Sequence, residues 1–257
     1  MSVLTPDDYA LHLQPERAGG LEQDQEWCEV EIDGDRRRIR FHDYGRIYEI
    51  PGLYERLFAD HLACNSPQVL TRLLAAQLAD KGWDAQDVTA LDFAAGNGMV
   101  AEELRAIGVG QIVGVDLLEE AREAAERDRP GLYADYHVLD MTRLDERTRR
   151  TLAAHEFNCL TCVAALGFGD VPPQAFAEAF NLVASPGWIA FNIRENFLDE
   201  KDSSGFSRLI ARMLREGVMH ECVRTRYRHR FSVSGRPLHY LAIVANKHGD
   251  VPLEWLD

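Results

Sequence analysis

Short apolar segments alternate with amphipathic ones between residues 88 and 193. Residues 88–93 and 111–115 are apolar runs rich in β-branched side chains, whereas residues 99–107 and 119–127 repeat apolar side chains at helical spacing. These patterns predict strands and helices respectively. Three further strands are predicted at residues 136–139, 157–165 and 188–193. One further helix is predicted at residues 174–183, before the last of these strands. Such alternation is typical of a parallel sheet with helices on both faces.

A different pattern marks the C-terminal end of the chain. Residues 219–233 and 238–245 flank Gly235 without a helical stretch between them, which predicts an antiparallel hairpin. The sequence therefore predicts an α/β fold, a Rossmann-like three-layer sandwich whose seven-stranded sheet is mostly parallel and ends in that hairpin. We expect this core to occupy residues 86–257.

The N-terminal part of the chain lacks the alternation of the core. Residues 1–25 are polar and irregular. Asp33 and Gly34 supply turn chemistry between two alternating segments, which predicts a β-hairpin. Apolar residues at helical spacing follow, and Pro67 then opens a further helix. We expect residues 1–85 to form an N-terminal extension with a β-hairpin and cap helices.

Charge and composition narrow the range of functions. The chain has 257 residues, 46% of them hydrophobic, and a formal net charge of −14. Such an acidic chain repels phosphates at long range, so nucleic acid is not an expected partner. The longest nearly apolar run, residues 159–169, is too short for a membrane span, and the N-terminus lacks a secretory signal. We therefore expect a cytoplasmic protein without membrane contact, and its oligomeric state stays open.

A small-residue loop and two acids follow successive predicted strands. Glycines in the loop 94–98 let backbone N–H groups approach a ligand at a helix N-terminus. Asp116 ends the second strand, where a carboxylate can accept hydrogen bonds from both hydroxyls of a ribose. Asp140 ends the third strand and suits an exocyclic amine, with the Met141 thioether packing on an adenine face. Together these residues favour a ligand that contains a nucleoside.

Here the sequence resembles the class I S-adenosylmethionine (SAM)-dependent methyltransferases. The similar segments follow the family's order over residues 86–195: VTALDFAAGNGMVAEEL, IVGVDLLEEA, YHVLDMTRL, FNCLTCVAALGFGDVPP and ASPGWIAFNI. The resemblance implies a methyltransferase of the small-molecule type, with SAM as cofactor, S-adenosylhomocysteine (SAH) as product and a small-molecule acceptor. It identifies neither the acceptor nor the atom that receives the methyl group.

The resemblance also implies the cofactor contacts residue by residue. Asp116 would bind the ribose, and Asp140 with Met141 the adenine. Leu117 and Val163 would complete this part of the site. The methionine moiety would be surrounded by the loop after the first strand: Ala94, Ala95, Gly96, Asn97 and Gly98.

Two residues near the end of the first strand bear on that loop. The resemblance implies that Asp92 supports the loop or the amino group of SAM. Ala94 stands where the family usually has glycine. Alanine is compatible with this position if its φ angle is negative.

Other functions remain open at this point. Gly96, Gly98 and Ala101 also match the G-x-G-x-x-A pattern of dinucleotide-binding domains, so an NAD(P)-dependent oxidoreductase is an alternative. The acid Asp92, the long N-terminal part and the antiparallel hairpin argue against it. A SAM- or nucleoside-binding module without methyl transfer is a second alternative, because a fold does not establish chemistry. A methyltransferase that acts on protein is a third.

Candidate residues for covering the cofactor and for binding the acceptor come from other segments. Tyr44 and Tyr48 share one helical face and either close over SAM as an aromatic lid or pack on the sheet. Phe168 should border the methyl group. Arg194 faces either the acceptor or solvent, where Glu195 would pair with it. In-line methyl transfer needs alignment above all, and a base only for a protonated nucleophile, so no catalytic residue is predicted.

Three further patterns have simpler interpretations. Cys159 and Cys162 form a C-x-x-C in a predicted buried strand, and we expect core thiols that bind no metal. The odd number of cysteines favours reduced thiols. The histidines lack metal-ligand spacing, so no metal site is expected. Four arginines share one face of a predicted strand and are expected to be solvated and paired with acids: Arg224, Arg226, Arg228 and Arg230.

Overall fold

Strands and helices alternate along most of the chain. The structure, a computed structural model, describes residues 5–14, 16, 19–198 and 203–256. Its strands are β1 (Tyr9–His12), β2 (Trp27–Ile32), β3 (Asp35–Arg40), β4 (Thr89–Phe93), β5 (Gln111–Asp116), β6 (Asp135–Val138), β7 (Cys159–Leu166), β8 (Gly187–Arg194), β9 (Met219–Phe231) and β10 (Pro237–Lys247). Its α-helices are α1 (Tyr44–Glu49), α2 (Leu53–Glu55), α3 (Ser66–Asp80), α4 (Met99–Ala106), α5 (Glu119–Asp128), α6 (Glu146–Ala153), α7 (Pro173–Asn181) and α8 (Phe206–Arg215).

Seven strands form the main sheet, in the order β6-β5-β4-β7-β8-β10-β9. β4 to β8 pair in parallel, whereas β10 is antiparallel to both β8 and β9. The strand order reverses between β6 and β7, so a crevice opens beyond the carboxyl ends of β4 and β7. This topology confirms the predicted Rossmann-like sandwich with a mostly parallel seven-stranded sheet and an antiparallel C-terminal hairpin.

Helices cover both faces of the main sheet. On one face, α7 and α8 bury Phe176 and Phe206 against the strands. On the other face, α3 and α4 bury Leu74 and Leu104. Each such side chain stabilises the fold by about 1.5–3 kcal/mol through removal of apolar surface from water. None of the described helices is both long and apolar enough to cross a bilayer.

The two cysteines of the C-x-x-C pattern lie on opposite faces of β7. Cys159 packs in the cluster with α3 and α4, whereas Cys162 packs in the cluster with α7 and α8. Side chains three positions apart on a strand point in opposite directions, so these two thiols share no metal site. Burial raises the pKa of both thiols. All five cysteines are unpaired.

A separate three-stranded antiparallel sheet, in the order β1-β2-β3, forms the N-terminal part of the fold. The β2–β3 hairpin turns at Asp33 and Gly34, whose φ angles are 51° and 81°. The predicted hairpin is therefore present. β1 lies within residues 1–25, so the prediction that this segment is irregular is wrong for these four residues. Tyr9 is the buried residue of this short strand, and so brief a run carries no readable alternation.

The sequence pattern predicts neither α6 nor α8. α8 nevertheless has a readable signal, because Phe206, Leu209, Ile210 and Met213 are buried at helical spacing. Gly205, with a φ angle of 89°, supplies its N-cap.

The predicted division at residue 85 stays a prediction. α3 precedes that boundary, yet it packs on the core sheet through Leu70, Leu74 and Leu78. Some residues of both predicted segments lie outside the described residues: 1–4, 15, 17, 18, 199–202 and 257.

A buried ion pair joins the N-terminal sheet to the C-terminal hairpin. Arg230 on β9 donates from Nη2 to Glu26 Oε2 over 2.7 Å, and both side chains are 3% exposed. Glu26 Oε1 also accepts from the backbone N of Val233 over 2.6 Å. Removing an ion from water costs several kcal/mol, so each of these two buried charges depends on the other for compensation. The prediction that Arg230 lies on a solvated face is therefore wrong.

We expect Glu26→Gln to lower the free energy of unfolding by about 3–5 kcal/mol, because it leaves the Arg230 charge buried without a counter-charge. The measurement is equilibrium unfolding in urea, followed by far-UV circular dichroism.

Glu221→Gln is the matched control, because Glu221 pairs with Arg224 on the same strand at the surface. An exposed pair contributes less than about 1 kcal/mol. Equal losses in the two variants would contradict the account of the buried pair.

Candidate functional site

A cavity of about 740 Å³ opens at the carboxyl ends of β4 to β7, and α1 forms its opposite wall. We refer to it as the main cavity. It lies at the crevice where such sheets bind ligands, and its size is typical of a small-molecule site. The structure brings the following predicted site residues to its lining: Tyr44, Tyr48, Ala94, Asp116, Leu117, Asp140, Met141 and Val163.

The loop after β4 begins in a left-handed backbone conformation. The φ angle of Ala94 is 58°, so the expectation of a negative φ at this alanine is wrong. A left-handed residue with a Cβ costs about 1–2 kcal/mol. Ala164 on the neighbouring strand has a φ angle of 61°, and both alanines line the main cavity. The backbone is therefore strained on both sides of the crevice.

Gly96 is the point at which α1 contacts the loop. Its φ angle is 54°, and a Cβ built at this position would overlap the hydroxyl of Tyr48. The Tyr136 hydroxyl donates to the carbonyl oxygen of Gly96 over 2.8 Å. The absence of a side chain thus lets α1 lie directly on the loop.

A smaller recess of about 40 Å³, the loop pocket, lies under this contact. Ala95, Gly96 and Asn97 line it, together with Tyr48 and residues of the helix that follows. Asn97 is buried and its amide donates to Glu55 Oε1 over 3.2 Å.

Gly98 caps α4 with a φ angle of 88°, in contact with the side chains of Tyr133 and Arg129. Neither the main cavity nor the loop pocket includes it in its lining.

The Asp116 carboxylate is fixed by two backbone amides. Oδ2 accepts from the N–H of Gly96 over 2.9 Å, and Oδ1 accepts from the N–H of Leu118 over 3.0 Å. Burial raises the pKa of Asp116, and the hydrogen bonds from the amides act in the opposite direction. Each oxygen keeps further lone pairs for a ligand in the main cavity. Leu117 beside it is 61% exposed, which leaves an apolar surface at the rim.

Asp92 lies beneath the loop and outside the cavity lining. It is 1% exposed. It accepts from the hydroxyls of Tyr133 and Thr161, each over 2.8 Å. The Tyr133 hydroxyl is also 3.5 Å from the carbonyl oxygen of Ala95, so Asp92 supports the loop through Tyr133. Burial raises the pKa of Asp92 to about 7, against the effect of these two hydrogen bonds.

Asp140 and Met141 lie where β6 ends. Asp140 Oδ1 accepts from the backbone N–H and the hydroxyl of Thr142, over 2.9 and 2.6 Å. These hydrogen bonds lower the pKa of Asp140, which keeps its carboxylate ionised. Met141 is buried and packs on the core beside it. An acceptor oxygen and a thioether therefore stand at one end of the main cavity.

Aromatic rings form a continuous wall at the other end of the main cavity. The rings of Tyr44 and Tyr48 are stacked at 6.3 Å, those of Tyr48 and Tyr54 at 5.2 Å, and Phe58 lies 4.8 Å from Tyr54. Burial raises the pKa of the phenols of Tyr44 and Tyr48 well above the usual range, so both stay neutral. Tyr48 also packs on Ala121 and Ala124 of α5. Both tyrosines therefore line the main cavity and Tyr48 packs on a helix, whereas closure over SAM stays a prediction.

A side pocket of about 30 Å³, the aromatic pocket, adjoins this wall. The sequence singled out Phe168, which lines it. Residues far apart in sequence complete the pocket, and no sequence pattern pointed to most of them: Gln23, Phe41, His42, Tyr44, Tyr54, Phe58, Cys64, Ala164, Ala165, Asp170, His229, Arg230 and Tyr240.

His42 and Asp170 form a hydrogen-bonded pair that lines both the main cavity and the aromatic pocket. His42 Nδ1 lies 2.8 Å from Asp170 Oδ2. A carboxylate only accepts, so Nδ1–H donates and Nε2 carries the lone pair of the neutral ring. The imidazole also contacts the ring of Phe168 edge to face at 5.4 Å.

Arg194 is absent from the linings of the main cavity and its two side pockets. Glu195 pairs with Arg226 over 2.9 Å, so the expected pair of Arg194 with Glu195 is wrong. Glu195 begins a short helical turn directly after β8, and Arg226 reaches it from β9. Arg228 donates to the carbonyl oxygen of Ala63.

One group of side chains with metal-ligating atoms lies at the far edge of the main sheet. Within the described parts of the chain, Asp135, His137 and His155 have such atoms within 4.8 Å of one another. None of the three lines the main cavity.

Comparison with known proteins finds a family model that matches part of the core. Residues 91–191 match the family described as a methyltransferase domain. A SAM-dependent methyltransferase from Clostridium acetobutylicum is 13% identical with a TM-score of 0.52, over 77% of this chain and 97% of that chain. A candidate RNA methyltransferase from Pyrococcus horikoshii is 13% identical with a TM-score of 0.51, over 72% and 87%. No curated protein matches the chain in sequence.

A third solved structure is the magnesium protoporphyrin IX methyltransferase from Synechocystis with bound SAM. It is 14% identical with a TM-score of 0.47, over 70% of this chain and 79% of that chain.

We expect Gly96→Ala to lower the free energy of unfolding by about 2–4 kcal/mol, because it combines a left-handed alanine with a clash against Tyr48. Gly131→Ala is the control: its φ angle is 73°, and no atom lies within 4 Å of its Cβ. It should cost about 1 kcal/mol.

Tyr48→Phe in the Gly96→Ala background should recover part of the loss. Urea unfolding of all variants measures this, and equal costs at the two glycines would refute the contact.

We expect the stability difference between Asp92→Asn and the wild type to depend on pH. The unfolded chain ionises Asp92 near pH 4, whereas the folded chain keeps its proton up to about pH 7. The wild type therefore loses stability relative to the variant as pH rises through this window, by up to about 4 kcal/mol. Unfolding in urea at a series of pH values tests this. Parallel curves for the two proteins would contradict it.

Proposed function

We propose that this chain is a SAM-dependent methyltransferase that acts on a small-molecule acceptor bound in the main cavity. The match of residues 91–191 to a methyltransferase domain and the fold shared with a SAM-dependent enzyme support this proposal. The match to the methyltransferase domain sets aside the NAD(P)-dependent alternative. SAM, when bound, would supply an activated methyl group, which the acceptor takes by in-line displacement of the sulfur. The residues of this chain align the two reactants and exclude water, which are the main requirements of such a displacement.

We propose that SAM lies along the main cavity. In our proposal, Asp116 accepts hydrogen bonds from the ribose hydroxyls with the lone pairs that Gly96 and Leu118 leave free. Leu117 at the rim and Met141 flank the adenine, and Asp140 accepts from its amine. These three residues offer apolar surface and an acceptor oxygen in one place, which suits a purine.

The methionine part of SAM would lie against the loop and under the aromatic wall. Ala94 and Val163 line the main cavity next to the loop pocket formed by Ala95, Gly96 and Asn97. Tyr44 and Tyr48 would place ring faces near the positive sulfonium, which attracts π systems. In this proposal Asp92 and Gly98 act indirectly, by holding the loop in shape.

One observation carries the small-molecule acceptor: the aromatic pocket adjoins the main cavity and is walled by the N-terminal extension. Phe41, Tyr54 and Phe168 place aromatic rings in its wall, beside a main cavity whose volume of about 740 Å³ is in the range of sites for small ligands. The net charge of −14 disfavours RNA. Arg224, Arg226 and Arg230 are already paired with acids of the same chain, so they offer little free positive charge.

Other parts of the proposal rest on the sequence. They are the boundary between an extension of residues 1–85 and a core of residues 86–257, and the cytoplasmic location. A role of Arg194 in acceptor binding is not part of the proposal, because Arg194 is absent from the linings of the main cavity and its side pockets. The oligomeric state stays open.

We expect Asp116→Ala to weaken SAM binding about 10–150-fold, or about 1.5–3 kcal/mol, because it removes charge-assisted hydrogen bonds to the ribose. Calorimetric titration with SAM and SAH measures this.

Asp145→Ala is the matched control, because Asp145 also accepts from a backbone amide, that of Thr148 over 2.7 Å, outside the main cavity. It should leave SAM affinity unchanged. Equal affinity of the wild type and Asp116→Ala would contradict the ribose assignment. Binding of NAD(H) in place of SAM would contradict the proposed function.

A further inference from the structure

The His42–Asp170 pair lies at the junction of the main cavity and the aromatic pocket. The two residues are 128 positions apart and come from different parts of the fold, the segment before α1 and the loop after β7. Tyr44, Ala164 and Ala165 line the same junction. A ligand in the main cavity and a group in the aromatic pocket therefore meet beside this pair.

The pair has the hydrogen-bonding pattern of an oriented base. The Asp170 carboxylate accepts from Nδ1–H, which fixes the tautomer with the lone pair on Nε2. The rings of Tyr44 and Phe168 contact the imidazole at 5.6 and 5.4 Å and restrict its rotation. Within the described part of the chain, no protein atom hydrogen-bonds His42 Nε2. Nε2 is therefore free to accept a proton from a ligand.

The surrounding groups leave few other charges at the junction. The titratable groups that line it together with His42 are Asp43 and Tyr44 at α1, Asp170, and, across the aromatic pocket, Tyr54, Cys64, His229, Arg230 and Tyr240. Burial raises the pKa of Tyr44, Tyr54, Tyr240 and Cys64 and lowers that of His229, so these groups are neutral near pH 7. Glu26 neutralises the charge of Arg230.

We propose that His42 is the general base of the methyl transfer and that Asp170 is its positioning residue; this rests on the proposed function. The acceptor X–H attacks the methyl carbon with a lone pair of X. The C–S bond breaks and its electron pair stays on sulfur, so the sulfonium becomes the neutral thioether of SAH. The proton of X–H passes to His42 Nε2, and Asp170 stabilises the imidazolium. The products are X–CH₃, SAH and one proton, which balances the charge.

The same geometry defines the chemical class of acceptor. An imidazole removes a proton effectively from a weakly acidic group, such as a phenolic hydroxyl whose pKa is about 10. Tyr44 and Tyr54 line both the main cavity and the aromatic pocket, and their rings favour a planar acceptor ring in the main cavity at this junction. Gln23 Oε1 in this pocket is buried, and among the described residues it has no hydrogen-bond partner. It would accept from a second polar group where the acceptor carries one, and the acceptor class that we infer is a small phenol.

The test is a pH–rate series with para-substituted phenols and SAM. With unsubstituted phenol near pH 7, His42→Gln should lower kcat/KM about 10²–10⁴-fold. With 4-nitrophenol near pH 8, where this acceptor is largely ionised, the loss should be less than about tenfold, because no proton remains to be removed. The rate of the variant with phenol should then rise with pH as the phenolate forms.

Asp170→Asn tests the positioning role with a spectroscopic readout. Long-range ¹H–¹⁵N spectra of the neutral ring should show Nε2 unprotonated in the wild type and a mixture of tautomers in the variant. Asp170→Glu should restore part of the activity. His137→Gln is the matched control, because His137 also lies 3.2 Å from an aspartate, Asp135, but outside the main cavity. It should leave the rates unchanged.

Calorimetry with SAM separates the failure of this inference from that of the proposed function. His42→Gln should bind SAM within about twofold of the wild type. An equal loss with phenol and nitrophenol, or an unchanged pH profile, would overturn the role of His42. A wild type that binds SAM but methylates no phenol of the series would overturn the acceptor class. A wild type that does not bind SAM would overturn the proposed function itself.

Discussion

The contact between Gly96 and Tyr48 is the constraint on which the site depends. Any side chain at Gly96 would overlap the Tyr48 hydroxyl, so the glycine allows α1 to lie on the loop after β4. The stack from Tyr48 through Tyr54 to Phe58 then continues this wall across the crevice. The loop after β4 thus becomes one side of a walled cavity instead of an open crevice. The strain at Ala94 persists because the surrounding structure holds the loop in this shape.

The position of α1 also determines what surrounds the acceptor. His42 precedes the helix and meets Asp170 from the core, whereas Arg230 anchors the other side of the extension through Glu26. The N-terminal part therefore does more than wall the main cavity, since it also supplies His42 to the junction. Asp92, buried beneath the loop, holds the shape of the core side through Tyr133. The residues proposed to bind the ligands are thus held by contacts that also stabilise the fold.

Local patterns in the sequence predicted the core well, because alternating strands and helices leave a periodic signal. The glycine loop and Asp116 and Asp140 at strand ends could be placed at the crevice for the same reason. The rest depends on contacts between distant segments. Glu26 and Arg230 are 204 positions apart, and His42 and Asp170 are 128 apart. A period-two rule assigned Arg230 to a solvated face, but the N-terminal sheet covers that end of β9, which the strand's own pattern does not reveal.

The central claim is that the N-terminal helix α1 forms a wall of the SAM site. Hydrogen–deuterium exchange with and without SAH tests it most directly, because ligand contact slows exchange of the amides that it orders. The account predicts increased protection in Tyr44–Glu49 together with residues 94–98. Protection confined to the loop and the strand ends, with no change in α1, would contradict the claim and leave the helix as a packing element.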